Sequence, residues 1–213
     1  TNVLGRLLGI PHRPKEAVRM LADGYAVGSY PTIEVSGDTG DERWSARAVF
    51  ALGVGPDAAI VAAAETEPYR KYRFGSIHYA TTALRIVWKD LRSREPDIAV
   101  STGHVGIGAM AQFHGAYTYF GRVPLRLDAT APDPMSVLTI ERLPIRRAGG
   151  VVRRAARGTL EKTRGLHLDR NVESFTVDAD STVEVQMDGE HYGQVRHLSV
   201  IARPQSLRVA VPG

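Results

Sequence analysis

The chain has 213 residues, 27 Lys and Arg against 23 Asp and Glu for a formal charge of +4, and no cysteine. That length suits one large or two small domains with an ample core, and the lack of cysteine excludes a disulfide framework and a thiolate metal site and points to a reducing cytoplasm. The small positive excess suits attraction to phosphate or an anionic membrane surface and is too slight to indicate nucleic acid. No stretch nears about 18 consecutive apolar residues, and no basic-then-apolar leader opens the chain, so neither a spanning segment nor a signal peptide is expected.

Residues 1–24 read as helical. Val3, Leu4, Leu7 and Leu8 form one apolar group, and Pro14 opens a second helix that runs through Leu21 and stops at Gly24. A chain that starts in mid-helix with Thr1 and Asn2 reads as the continuation of something upstream. Residues 1–28 are therefore expected to be linking helices and residues 29–213 a separate β-rich domain.

From about residue 30 the hydrophobic period falls to two. Candidate strands are 33–35, 46–53, 98–101, 105–113, 125–127, 137–141, 173–178, 183–187, 198–201 and 207–211, rich in Val, Ile and aromatics and bounded by Gly, Pro or Asp. So many short strands without regular intervening helices predict a mainly β fold, an antiparallel sandwich or barrel-like domain with a few helices, rather than a parallel α/β sheet. Two helical interruptions are expected. Residues 76–91 carry Ile77, Ala80, Leu84, Val87 and Leu91 on one stripe. Residues 146–164 are mainly basic, with Arg146, Arg147, Arg153, Arg154, Arg157, Lys162 and Arg164 opposed only by Glu161.

Four features carry candidate chemistry. Gly53-Val54-Gly55-Pro56-Asp57-Ala58 follows an apolar strand and superficially fits a dinucleotide fingerprint. The required acidic residue about twenty positions on is missing, so a tight turn of low bulk, open to close approach by another segment, is the better account. Tyr69-Arg70-Lys71-Tyr72-Arg73-Phe74 mixes cations with aromatics and suits a loop facing phosphate or a lipid headgroup, or simply water. The basic stretch around Arg153 could lie on an anionic bilayer or be a solvated face. The seven histidines lack zinc-site spacing, and neither G-x-S-x-G nor a P-loop is present.

The fourth feature is Met187-Asp188-Gly189-Glu190. Val183, Val185 and Met187 alternate ahead of it, so Asp188 should leave the strand on the polar face with Glu184 and Gln186, and Glu190 should point the same way if the extended geometry continues. Two carboxylates on one face suit a magnesium ion or the proton of a substrate hydroxyl. A solvated type I′ hairpin turn is the plainer alternative.

Taken in order, these pieces resemble the diacylglycerol kinase catalytic family, soluble bacterial lipid kinases related to sphingosine and ceramide kinases. The opening from Thr1 to Pro11 is similar to the family's G-T-x-N-x-x-A-R-x-L-G-I-P segment. Phe50 to Ala58 resembles F-x-x-x-G-x-G-F-D-A, with Pro56 in place of the aromatic. Phe74-Gly75-Ser76-Ile77-His78-Tyr79 resembles F-G-x-x-x-Y, and Tyr119-Phe120-Gly121 falls at a Y-x-G element. Met187 to Glu190 and the ending 207–212 resemble the family's D-G-E and closing strand. The resemblance spans essentially the whole chain in collinear order.

It implies a two-domain enzyme in which an α/β domain with a G-G-D-G-T nucleotide loop precedes a β-sandwich that holds the lipid. Nothing here reads G-G-D-G-T, so the chain corresponds to the second domain and the linking helices, with its last strand returning toward the first, and would be inactive alone. The implied cofactors are ATP and Mg2+. Asn2 and Arg6 would border the nucleotide phosphates, Lys71 would face the cleft, and Asp188 and Glu190 would lie by the lipid hydroxyl. Of the family's D-D-G-x-L magnesium segment, only Asp133 stands here, followed by Pro134 and Met135. The implied partner is a diacylglycerol-like membrane lipid, met peripherally at an anionic membrane from the cytoplasm, with a homodimer left open. Two other readings are carried: a non-catalytic β module that binds lipid or an acidic partner, and a dinucleotide-dependent oxidoreductase using Gly53 and Gly55.

Overall fold

Pro14, free of any need for an N–H donor, opens one helix, and Gly24, at φ 126°, ends it. From Tyr25 onward the chain is extended. The computed structural model describes residues 3–65, 95–120, 123–130, 134–142 and 148–213. Two short helices, α1 (Val3–Leu7) and α2 (Pro14–Asp23), precede β1 (Tyr25–Asp38), β2 (Arg43–Ala48), β3 (Ala51–Val54) and α3 (Pro56–Glu65). There follow β4 (Ile98–Val100), β5 (His104–Gly106), β6 (Gly108–Gln112), β7 (Thr118–Phe120), β8 (Val123–Leu125) and β9 (Ser136–Ile140). The rest is α4 (Ala148–Arg157), a 3-10 turn at Leu160–Lys162, β10 (Leu166–Asp169), β11 (Ser174–Met187) and β12 (Glu190–Pro212).

The fold is mainly antiparallel β with few helices, as the alternation predicts. One sheet runs β10-β9-β6-β3-β11-β12-β1-β2, and β7 and β8 pair antiparallel in a separate two-stranded sheet. Strand β11 is the fork. Its end pairs with β3 through Val185, Gln186 and Met187, and its beginning pairs with β4 through Val177, Asp178 and Ala179. The sheet therefore curls, and Ile33 and Val35 of β1 share one core with Phe113, Met135 and Val137 from beyond β6 and along β9. Each such fully buried side chain contributes about 1.5–3 kcal/mol.

All five residues of β9 are buried because each face has its own cover. Val137 enters the main core, whereas Leu138 and Ile140 pack outward with Ile107, Leu127, Leu160 and Leu166 beneath Val151 and Ala155 of α4. This outer layer is tied by Asp128, 1% exposed, which accepts from Arg170 Nε at 2.5 Å, Thr130 N at 3.1 Å and Ser136 Oγ at 3.2 Å. Burial alone would raise the Asp128 pKa, but Arg170 and Thr130 outweigh it and hold it below the usual range.

Several boundaries differ from the sequence reading. The expected strand 46–53 is two strands, because the chain bends at Val49 and Phe50. The expected 105–113 also splits: a Cβ at Gly108 would lie 2.7 Å from Val54 O, and Gly106 is pressed against the Ile140 carbonyl. Conversely, 173–178 joins 183–187, and 198–201 joins 207–211, because bulges absorb the irregular residues between them without ending the pairing. Strands β7 and β10 were not expected, and 125–127 moved to Val123–Leu125. In the basic stretch, α4 ends at Arg157, short of the expected 164, and gives way to the 3-10 turn. The expected helix at 76–91, the loop 69–74, and Arg146 and Arg147 lie outside the described residues. The expected division at 28/29 falls inside β1. No helix among the described residues is long and apolar enough to cross a membrane.

Candidate functional site

The hairpin joining β11 to β12 closes on the pair Met187 and Glu190. Its two central residues have φ 55° (Asp188) and 87° (Gly189), the positive values that a two-residue type I′ turn requires. The turn is not simply solvated. Asp188 reaches across to the β2–β3 bend, accepting from Val49 N at 2.8 Å through Oδ2 and from Phe50 N at 3.0 Å and Ala51 N at 3.1 Å through Oδ1. Its own N–H donates to the Ala51 carbonyl at 3.0 Å. Burial raises the Asp188 pKa despite these three amides and the nearby His114. Glu190 is exposed. The two carboxylates thus differ in kind: one is spent on the backbone and the other is open to solvent.

Beneath the turn lies a polar group in the sheet. Gln186 is 1% exposed, so it is not on a solvated face as the alternation implied. Its Nε2 donates to Asp57 Oδ2 at 2.8 Å and lies 2.5 Å from Tyr117 OH, and its Oε1 accepts from Gly189 N at 2.8 Å. The Tyr117 hydroxyl also donates to Asp57 Oδ2. Part of Asp57 still reaches solvent, yet protein surrounds its carboxylate closely enough that burial pushes its pKa up to about 7, against the opposing Gln186 bond.

The glycines of 53–55 make this arrangement possible. A Cβ at Gly53 would overlap Asp57 Oδ2 and lie 2.7 Å from Gln186 Nε2, and Gly55 sits at φ 83° with the Ile107 carbonyl 2.6 Å from where its Cβ would be. This is the low-bulk turn that the sequence suggested. Gly53→Ala is expected to cost about 2 kcal/mol by pushing apart a packed polar group. An unchanged thermal midpoint would show that the group yields freely.

Around the same bend, Val3, Phe50 and Ala51 form a small core with Leu4 and Leu7 of α1, Val49, Tyr117 and Tyr119. Arg6 lies over the Tyr119 ring at 5.0 Å, a cation–π contact. His114, in the left-handed region at φ 63°, stacks edge-on against Tyr30 at 5.5 Å. Burial lowers its pKa, opposed by a hydrogen bond to the Val49 backbone and by the Asp188 charge. Its Nε2 is buried with no partner among the described residues.

Of the residues singled out in the sequence, Asp188 and Arg6 thus flank one small core, α1 on one side and the acidic turn on the other. Glu190 is exposed beside the turn. Asn2, Lys71 and Asp133 lie outside the described residues, among which no group of three or more His, Asp or Glu side chains could hold a metal ion. Sequence reasoning missed Asp57, Tyr117, Gln186 and His114 as site residues. The one available signal was Asp57, two positions after the second glycine of a turn too tight to be accidental.

No family model and no curated protein matches the chain at a significant level. Solved structures do. A diacylglycerol kinase from Bacillus anthracis str. Sterne aligns over 99% of this chain and 65% of its own, with a TM-score of 0.64 at 12% identity. Two further structures, provisionally assigned as diacylglycerol kinase and from the same organism, align over 99% and 97% of this chain and 65% and 64% of theirs. Their TM-scores are 0.64 and 0.60, each at 13% identity. The chain therefore spans somewhat less than two thirds of the structures it matches. Over that stretch its antiparallel sheet has the fold of these diacylglycerol kinase structures.

Proposed function

We propose that this chain is the β-rich, lipid-side part of an ATP-dependent lipid kinase of the diacylglycerol kinase type. The supporting observation is the acidic turn clasped by Asp188 to the bend on which α1 and Arg6 rest. Phosphoryl transfer to an alcohol needs cations near the transferring phosphate and a carboxylate near the attacking hydroxyl. In this reading Arg6, with Asn2 and Lys71, borders the phosphates. Glu190 takes the hydroxyl proton as the oxygen attacks the γ-phosphorus of ATP and the bond to the departing ADP breaks, and Asp188 fixes the turn that carries it. ATP with Mg2+ would supply the phosphoryl group. Among the described residues no group of three or more His, Asp or Glu side chains gathers as metal ligands, and Asp133 lies outside them.

Residues 1–28 would link to a nucleotide-binding half. That half would cover the apolar surface of Val18, Leu21, Tyr25 and Val27, all exposed where the ribbon of β1 with 207–212 leaves the sheet. The lipid would be diacylglycerol-like and met at a membrane surface. α4 favours a peripheral anionic contact, since it has no acidic residue in its first turn and exposes Arg153, Arg157 and Val152.

A lipid-phosphorylation assay with MgATP, on protein containing this chain and a nucleotide-binding half, tests the reading. Glu190→Gln is expected to lower turnover about 100-fold. Full turnover in both Glu190→Gln and Asp188→Asn removes the acidic turn from the chemistry.

A further inference from the structure

We infer that Tyr117 is a positioning residue that ties the helix carrying Arg6 to the turn carrying Glu190, and so keeps a cation and a carboxylate of the proposed site in fixed relation. The inference rests on the lipid-kinase reading of those two side chains. Tyr117 lies just before β7, where its backbone N–H donates to the Leu125 carbonyl at 2.7 Å and anchors it to β8. From there its side chain offers two ends of different chemistry. The ring joins the small core in which Val3, Leu4 and Leu7 of α1 meet Phe50 and Ala51, and it also packs against the outer layer beneath α4. The hydroxyl belongs to the polar group under the acidic turn.

Each hydrogen bond in that group has a defined direction. The Tyr117 hydroxyl donates to Asp57 Oδ2 and accepts from Gln186 Nε2, which donates to Asp57 Oδ2 as well. Both hydrogens of the Gln186 amide are then taken up, its oxygen is left to the Gly189 N–H, and the amide plane is set. Removing the hydroxyl strips a donor from Asp57 and an acceptor from Gln186, which frees the amide that holds Gly189. At the other end, α1 stands on the bend whose Val49, Phe50 and Ala51 amides clasp Asp188, and Arg6 lies over the ring of Tyr119, two residues beyond Tyr117. The cation and the turn thus share two supports, the bend and Tyr117. A carboxylate and a cation that serve one reacting centre must both be in place at once, and small misplacements cost rate.

Tyr117→Phe tests the tie, because it keeps the ring against α1 and removes only the hydroxyl. In the 213-residue chain the Gly189 amide should exchange about 10-fold faster than in the unmodified chain, read by NMR, and an unchanged rate overturns the tie. In protein that also contains a nucleotide-binding half, lipid phosphorylation with MgATP should show kcat lowered about 10-fold with KM for ATP kept. Since the effect passes through Glu190, adding Tyr117→Phe to Glu190→Gln should cost nothing further. Losses that multiply would leave Tyr117 a support of the fold alone and overturn its positioning role, as would an unchanged kcat. Absence of phosphoryl transfer in the unmodified protein would instead overturn the lipid-kinase reading, and the exchange rate of Gly189 would still decide whether the hydroxyl holds the turn.

Discussion

Asp57→Asn is expected to be more stable than the unmodified chain at pH 8 and nearly equal to it at pH 4, with the difference opening between. The sign follows from linkage. The folded-state pKa is raised from 3.8 to about 7, so the contribution of Asp57 is fully present below the lower value and is lost as pH rises through the upper. That separation corresponds to at most about 4 kcal/mol. Asparagine keeps an acceptor for Tyr117 and Gln186 while never carrying charge. Comparing the two proteins at each pH cancels His114, whose lowered pKa works in the opposite direction and destabilises on acidification. Urea unfolding midpoints across pH 4–8 provide the measurement. Parallel curves would mean that Asp57 ionises as freely in the fold as in the unfolded chain.

Asp188→Ala should cost about 3 kcal/mol at pH 7. Three amides, at Val49, Phe50 and Ala51, lose their only side-chain acceptor, and each buried unsatisfied donor costs about 1–3 kcal/mol, lessened here because water reaches part of the bend. Alanine at φ near 55° adds up to about 1 kcal/mol, since only Asp, Asn and Gly adopt that region readily. Asp188→Asn should lose less, about 1–2 kcal/mol, because one oxygen still accepts while the NH2 group opposes the Val49 N–H. Equilibrium unfolding orders the three proteins. An Ala variant within about 0.5 kcal/mol of the unmodified chain would show that the clasp contributes nothing. Any effect of these variants on the proposed phosphoryl transfer must be read against this loss.

Much of the fold was legible because strands announce a buried face. Ile33 and Val35, or Val183, Val185 and Met187, alternate with polar residues, and each set enters the main core. Pro14 and Gly24 marked α2 for equally local reasons. Lengths were less legible. β11 and β12 run through polar residues and Pro204 that end an alternating pattern but not a hydrogen-bonded ladder, since a bulge restores the register at little cost. β9 carries no alternation, because α4 covers its second face and every position is buried.

The site was legible in its residues and not in its contacts. The Asp-Gly dipeptide told of a two-residue turn, which is what the backbone does. Whether the Asp188 side chain met water or protein depended on a bend 137 to 139 residues earlier in the chain. The same holds for Gln186, which strand parity placed on the polar face. It is buried because Asp57 and Tyr117 arrive there from other elements.

By itself the amino-acid order determined the strand and helix faces, the two-residue acidic turn, the glycines that admit close approach, and the collinear resemblance to a lipid kinase lobe. Only the tertiary structure decided that Asp188 clasps the β2–β3 bend, that Asp57, Tyr117 and Gln186 share one polar pocket, and that Glu190 alone of the acidic pair is open to solvent. The reason is physical. Backbone sterics and side-chain period act over a few neighbouring residues and fix which way each side chain faces, whereas partners across a sheet are chosen by the register of strands far apart in the chain.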